Sequence, residues 1–583
     1  MNLYRKSNKN LLSLVSIFGC AAFILTFTFF QRVLLHNVSA ADYSKYRVVR
    51  VGLKFGTNAT AAGNAYAANG FYIGYYDSSD NFVNIYTTSD HFITFAKDKN
   101  VYISGNTVST SSSDGSHFVG SFHLSPDATF GTLDETESYV SNVSDKLSAA
   151  GLNLTVFPYY NNGTFGVRIG EFASLDDANS KAADVGNAIG AAVNGVGNIK
   201  NLLTVIDMNN YVTIFEFSSD SYWPAAKPIQ KDGSDPSYIK TGTLYYHGGL
   251  EFKRMTGDDV TVVSVVSMDD YVKGVLPYEM SPSWNVEALK AQAVCARTYA
   301  IVNHNKHISQ GFNVCDETDC QVYNGNSQEG ANVVTAANET SGQLLTYSGS
   351  PISTFYHSSN GGYTESVKNV WGSEDKPYYT PVPDTYEDLD NINNGRWSST
   401  VSGADLGEYL RGKNYDISEV VKAYVSEFTK PAGNVYSVTF EDAGGKSVTI
   451  SKCDTVRIKL SKYVKSPRFN IYSGSGGSQP YVTNGTTSVL PSLSQAMAVN
   501  GDGTVQAVGG SSTYAVTGSG VQSVDSTGGA SGTFEFKGTG WGHNVGMSQY
   551  GALGRAKAGI SYKNIVTYYF QGTEVTTYNE LKG

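Results

Sequence analysis

The stretch Val260-Thr-Val-Val-Ser-Val-Val266, continuing through Ser267 into Asp269-Asp-Tyr-Val-Lys-Gly-Val-Leu276, then Pro277-Tyr-Glu279-Met-Ser-Pro282, then Val286-Glu-Ala-Leu-Lys-Ala-Gln-Ala-Val-Cys-Ala-Arg-Thr-Tyr-Ala300, decides the fold class. Its first part is nearly all β-branched, the composition of a strand. Ser267 is a fitting N-cap, and Asp269 and Asp270 put negative charge in the first turn of a helix predicted over 269–276. A second helix is predicted after Pro282, with Val286, Leu289, Ala293, Ala296 and Ala300 at helical spacing as its core face and Gln292 and Tyr299 away from that stripe. With a further strand at Thr243-Leu-Tyr-Tyr-His247 upstream, the pattern reads as α+β, mainly β with a few helices. Between the two helices Glu279 sits in a Pro-broken, aromatic-lined elbow, the setting of a general acid.

Composition narrows the class. The chain has 583 residues, a formal net charge of -10 and no Lys/Arg cluster, which argues against nucleic acid because phosphate binding needs concentrated positive charge. Charged residues are only 16%, while Gly (61) and Tyr (40) abound, as in extracellular β-rich proteins whose flat aromatic surfaces suit sugar rings. Much of that tyrosine serves simply to fill strands. Arg5, Lys6 and Lys9 precede an apolar run from Leu11 to Phe30, and Val38-Ser-Ala40 follows with small residues. Residues 1–40 therefore read as a signal peptide or a signal anchor at the membrane, and the protein as extracytoplasmic, secreted or membrane-anchored at the cell wall. Five cysteines in so long a chain make no disulfide framework.

About 540 further residues suggest three or so domains. Residues 41–133 alternate short strand-like runs with Gly/Asn/Ser/Asp turns and read as a small β-rich unit. Over 134–205 the texture is αβ: Tyr139 to Leu147 and Leu175 to Ala183 look helical, and Leu154 to Tyr160 and Thr164 to Gly170 look like strands. Val167-Arg-Ile-Gly-Glu-Phe-Ala-Ser-Leu-Asp-Asp-Ala178 resembles half of a SPOR domain. That resemblance implies a unit that binds glycan strands stripped of stem peptides. The third region spans 206–578, with a Gly/Ser/Thr-rich insertion at about 473–532.

The segment Tyr271 to Tyr299 closely resembles the signature of the SpoIID/LytB family of stage II sporulation protein D and the amidase enhancers, whose sporulation members are lytic transglycosylases of cell-wall glycan. Further blocks carry the same resemblance: Cys315-Asp-Glu-Thr-Asp-Cys320-Gln-Val-Tyr323, Phe355-Tyr-His357-Ser-Ser-Asn-Gly361-Gly-Tyr-Thr-Glu365, and Gly540-Trp-Gly-His543-Asn-Val-Gly546-Met-Ser-Gln549-Tyr-Gly-Ala552. Asn544 stands where the family typically has Gly, a mild departure because Asn tolerates left-handed backbone.

The resemblance implies a SpoIID-type domain, with peptidoglycan glycan strands as substrate and Glu279 as the catalytic acid. Such an acid needs a raised pKa in a partly apolar site, for which Leu276, Pro277, Tyr278 and Met280 are the candidates. The C6 hydroxyl of the same muramic acid then attacks C1, leaving a 1,6-anhydro end with no second catalytic carboxylate and no cofactor. Gln292, Arg297, Tyr299, Gln321, Tyr323, His357, Ser358, Glu365, His543 and Gln549 are the implied cleft residues. For Gln292 and Arg297 a purely structural tie between helix and loop is an equal reading. Some family members bind zinc at the cysteine block, which implies Cys315 and Cys320 with His304 or His307 as ligands of a structural zinc. Asp319 departs from the pattern there, and a Cys315–Cys320 disulfide or free thiols are the competing accounts. Two further functional readings stay open: a non-catalytic enhancer of a partner cell-wall amidase, and a hydrolase using Glu287 or Glu365 as second carboxylate.

Overall fold

The computed structural model describes residues 46–578 apart from 198, 200, 232–236, 256, 257, 394 and most of 474–531. The apolar run at 11–30 lies outside the described residues, among which no helix is long and apolar enough to cross a membrane. The valine run forms the strand Val260–Ser267 and lies inside a seven-stranded sheet ordered Val314–Cys315, Val48–Lys54, Val260–Ser267, Gly249–Arg254, Ala225–Pro228, Phe71–Tyr76, Phe82–Thr88. It pairs antiparallel with a neighbour on each side, and all five valines are buried. At roughly 1.5–3 kcal/mol per buried aliphatic side chain, that run alone accounts for a large local driving force.

A second sheet, of ten strands, carries Phe92–Lys97, Leu203–Asp207 and Val212–Ser218 near its middle. Phe95 of this sheet stacks on Phe252 of the first with ring centroids 4.0 Å apart. One apolar core joins both sheets to the helices that follow.

The strands run across the expected unit boundaries. Val48–Lys54 pairs with Val260–Ser267, and Phe71–Tyr76 with Ala225–Pro228, so residues 41–133 do not enclose a core of their own. Short strands with one apolar face each must borrow partners, and here the partners lie some two hundred residues downstream. The αβ unit begins at Phe122 and not at 134. It reads strand Phe122–Pro126, α1 (Leu133–Ala149), hairpin Val156–Asn161 with Thr164–Phe172, α2 (Leu175–Ile189), strand Val193–Gly197. This is a βαββαβ arrangement in which the last strand edges the first and the third lies between the first and second. Leu124 of the added strand joins Val143, Leu147, Val167, Ile169, Val185 and Ile189 in a separate core. Thr132 caps α1 and Ser174 caps α2, each accepting from the amide three residues on.

The remaining helices are α3 (Met268–Glu279), α4 (Val286–Val302), α5 (Ala331–Glu339), α6 (Val367–Trp371), α7 (Gly403–Arg411), α8 (Cys453–Lys459), α9 (Gln549–Lys557) and α10 (Tyr562–Tyr569). A lobe with its own core, including Leu406, Phe440, Phe534 and Phe536, is built from strands between 396 and 473 together with Thr533–Thr539, and from α7 and α8. Phe469–Ser473 and Thr533–Thr539 are paired neighbours in one sheet, so 474–532 is an excursion between adjacent strands.

Two helical expectations change. Ser267 does cap α3, accepting from Asp270 N at 3.1 Å, but the helix runs on through Pro277 to Glu279. A proline in the last turn removes one hydrogen bond without ending the helix, because Met280 N still donates to Leu276 O at 2.9 Å. In α4 burial is not confined to one stripe: Gln292, Arg297 and Tyr299 are buried along with the alanines. The helix is enclosed by α3, α5, α9, α10 and the strand Gln343–Tyr347. Arg297, fully buried, donates to Asp269 at 2.8 Å and to the carbonyl oxygens of Gln343 and Ala337. It bolts α4 to α3, α5 and a strand, the structural reading of this residue. Replacing Asp269 by Asn leaves the fully buried Arg297 without its counter-charge, and urea unfolding should report a loss of about 3 kcal/mol.

Candidate active site

Three separated segments converge on Glu279. The last turn of α3 presents the carboxylate, which accepts from Val322 N at 3.2 Å and from Gln549 Nε2 at 3.2 Å. Tyr356 OH lies against the same carboxylate, and its single proton is shared between Glu279 and Gln321 Oε1, the latter at 2.9 Å. Gln321 Nε2 in turn donates to Tyr271 OH at 3.0 Å and to Ala296 O at 3.2 Å, returning the network to α3 and α4. Burial pushes Glu279 above the usual carboxylate range, against the three hydrogen bonds that favour its charged form. Its place at the C-terminal end of α3 acts the same way as burial, because the helix dipole there opposes negative charge. The apolar setting comes from Leu276 and Met280, both buried. The result is a carboxyl poised to hold a proton and to be held still while it gives or takes one.

Gln321, Gln549 and Glu279 are thus brought together, Gln321 by way of Tyr356. Tyr323 is fully buried against Tyr271, with ring centroids 5.3 Å apart, and a β-carbon at Gly274 would sit 2.3 Å from its ring, so its role is packing. Gln292 is fully buried and its amide has no protein partner among the described residues. Tyr299 donates to Asp319 O at 3.4 Å.

The strand Tyr356–His357 explains what the sequence missed. Adjacent strand residues face opposite ways: Tyr356 faces Glu279 and His357 turns toward His543, with ring centroids 5.4 Å apart. Burial holds His357 well below its ordinary pKa and pushes His543 down to about 3, so both imidazoles are neutral. His357 Nδ1 faces Val545 O at 3.1 Å, and His543 Nδ1 accepts from Val545 N at 3.0 Å, a structural pair clamping the second glycine-rich loop. In that loop Asn544 has φ 67, the left-handed conformation expected where the family has Gly. At Gly546, with φ 70, a β-carbon would meet the Phe355 carbonyl oxygen at 2.1 Å. The Ser358 carbonyl accepts from Tyr550 N at 3.0 Å.

Glu365 is buried and saturated by Thr429, Asn434, Asn369 and the Ser366 amide, so it is not free to activate water. Glu287 accepts from Lys290 and from Tyr562 N, at the start of α4. An acid that the sequence did not flag, Glu387, is pushed up to about 7 by burial. It accepts from Ser359 Oγ, from the Asn360 and Gly361 amides and from Ser548 Oγ. Ser548 is the N-cap of α9, whose first residue is Gln549, so Glu387 holds both the 359–361 loop and the helix that reaches Glu279.

Beside Gln321, His307, Cys315, Asp319 and Cys320 bring one donor atom each within 4.8 Å of one another. His304 lies outside this cluster, its Nδ1 3.3 Å from Asn313 Nδ2 and its ring edge-on to Tyr46. The structural reason is that His304 follows directly on the end of α4, while the turn after it swings His307 back over Phe312. Cys315 and Cys320 are free thiols, not a disulfide. His307 Nδ1 donates to Gln310 Oε1 at 2.7 Å, which places the proton on Nδ1 and leaves the lone pair on Nε2, 3.4 Å from Cys320 Sγ. Two thiols, an imidazole with the correct tautomer and a carboxylate fit a tetrahedral zinc.

The SpoIID (stage II sporulation protein) family matches residues 256–347. The amidase enhancer of Bacillus subtilis is 33% identical over 325 residues, 53% of this chain and 40% of its own length. An uncharacterized protein of Brachyspira hyodysenteriae is 30% identical over 339 residues, 58% of this chain and 74% of that protein. Stage II sporulation protein D of Bacillus subtilis is 26% identical over 329 residues, 54% and 76% of the two chains.

The raised Glu279 makes a stability prediction. Its folded form holds a proton to higher pH than the unfolded chain does, so its contribution to stability is greatest below about pH 4.5 and is lost as pH rises through the folded pKa. Glu279→Gln should therefore melt at a higher temperature than the parent protein at pH 7, with the difference vanishing below about pH 4.5.

Proposed function

Because this chain belongs to the SpoIID family, we propose that it is a peptidoglycan lytic transglycosylase, cutting the bond between N-acetylmuramic acid and N-acetylglucosamine to leave a 1,6-anhydromuramic end. The observation that carries the reading is the half-buried Glu279, raised in pKa and gripped by Val322 N, Gln549 and Tyr356. In its protonated form Glu279 gives its proton to the bridging oxygen as the C1–O bond breaks and positive charge develops on the sugar. The sugar's C6 hydroxyl then bonds to C1, and Glu279 takes back that hydroxyl's proton, so acid and base are one group and no water is consumed. Gln549 and Val322 N steady the carboxylate in its ionised interval, and Tyr356, tied to Gln321, fixes its direction. Hydrolysis is disfavoured because Glu287 and Glu365 are committed elsewhere.

A structural zinc held by His307, Cys315, Asp319 and Cys320 would brace the turn that leads through Gln321 to Val322; it has no part in the chemistry. The βαββαβ unit at 122–197 is read as a SPOR-like glycan-binding unit, and the apolar run at 11–30 as the element that exports or tethers the protein at the cell wall. A second reading is supported by the likeness to the amidase enhancer: the chain binds glycan and accelerates a partner amidase without cutting.

Glycan strands incubated with the protein should yield products one water lighter than hydrolysis products and resistant to borohydride, and Glu279→Gln should abolish them with its fold retained. Full-mass reducible ends would mean hydrolysis. No product, together with equal stimulation of a wall amidase by protein and Glu279→Gln, would mean the enhancer. Metal analysis of untagged protein should find about one zinc per chain, lost with thermal stability in Cys315→Ser.

A further inference from the structure

We infer that a cavity floored by Arg468 is a second glycan subsite, one that reads a carboxylate carried on the sugar chain. The inference rests on the glycan reading above and extends it. The cavity, about 580 Å³, lies in the lobe built around Thr533–Thr539, and Trp397, Phe428 and Phe469 line it together with Arg396, Arg468 and Lys537. No acidic residue is among its lining residues. Arg396 and Lys537 sit at the rim in exposed pairs with Asp390 and Glu535, which water and salt screen.

Arg468 differs from both. It is half-buried, its one side-chain hydrogen bond among the described residues runs from Nη1 to Ala432 O at 2.6 Å, and no described carboxylate lies within ion-pair distance. Glu387 and Glu365 act on it only from further off, and burial lowers its pKa. A guanidinium offers five N–H donors in a planar fork that matches a carboxylate. Among the described residues only the one bond to Ala432 O is made by the side chain, which leaves most of that fork for a ligand entering the cavity. Beside it the Trp397 indole is fixed by donating Nε1 to Gly540 O at 2.8 Å, giving a rigid aromatic wall for a sugar face.

The cavity also adjoins the machinery around Glu279. A β-carbon at Gly362 would come within 3.8 Å of Arg468 Nε, and Thr539 Oγ1 donates to Gly361 O at 3.1 Å. The same loop is held by Glu387, which holds the cap of the helix bearing Gln549. Two sources supply a carboxylate on such a chain: the lactyl group of muramic acid, bared when its stem peptide is removed, and the acidic groups of the stem peptide itself.

The test uses the full chain carrying Glu279→Gln, so that strands are bound and not cut, and measures Kd for three soluble oligosaccharides. These are peptide-free strands, the same strands with every lactyl carboxylate converted to a methylamide, and peptide-substituted strands. One of the carboxylate-bearing ligands should bind about tenfold tighter than the methylamide, and which one names the source. Adding Arg468→Gln should bring the ratio to about one with methylamide affinity unchanged, whereas Arg468→Lys should keep part of it. Ser398→Glu, on the exposed rim, should erase the preference without touching the core. Equal affinity for all three ligands, a ratio that survives Arg468→Gln, or a preference that survives Ser398→Glu would overturn the subsite. Anhydro products from parent protein alongside equal affinities would sink only the subsite. A carboxylate preference without any product would sink only the catalytic reading.

Discussion

Arg297 is a charge shut off from bulk solvent, in the C-terminal half of a helix enclosed on every side, and the surrounding helices are arranged to neutralise it. Asp269 in the first turn of α3 supplies the counter-charge, and the carbonyl oxygens of Ala337 and Gln343 take other donors. A buried ion pair adds little net stability over an apolar substitute, but a half-broken one is severely penalised. The pair therefore sets register more than it adds strength: α3 must start where Asp269 meets Arg297. From that start, α3 delivers Glu279 eleven residues past Met268, at the edge of the core.

What happens at Glu279 depends on chain segments remote in sequence. Val322 lies 43 residues on and Gln549 lies 270 residues on, and each supplies one hydrogen bond. Neither partner is an ionic group, so the carboxylate is oriented without being forced into its charged form. That balance distinguishes Glu279 from Glu365, whose carboxylate accepts from four donors in a closed pocket, and suits it to moving a proton.

Two polar clusters brace the site. The His307, Cys315, Asp319 and Cys320 group stands behind Gln321 and Val322. Glu387 stands behind Ser548 and the 359–361 loop. Both act on backbone that carries a Glu279 partner, so precision at the carboxylate is set by second-layer contacts in the way metal and hydrogen-bond shells hold reactive groups elsewhere.

Local physics made much of this readable from the amino acids. The β-branched run at 260–266, the Ser267 cap, the alanine-rich helix after Pro282 and the Gly-dense loop at 540–546 each follow from propensity or backbone geometry within a few residues. The two strand-helix halves of the αβ unit were readable for the same reason. Tertiary structure alone decided the rest. Strand partners hundreds of residues apart merged the first region into the main body. Enclosure by four helices and a strand turned Gln292, Arg297 and Tyr299 inward, which no single-helix periodicity can report. Alternation along Tyr356–His357 handed the site to the tyrosine and left the histidine in the core, because which face of a strand meets a carboxylate depends on what lies across from it. The placing of Asp319, and not His304, beside the two cysteines and the contacts of the half-buried Glu387 belong to the same class: they arise from distances between segments, and a sequence encodes those only through the fold.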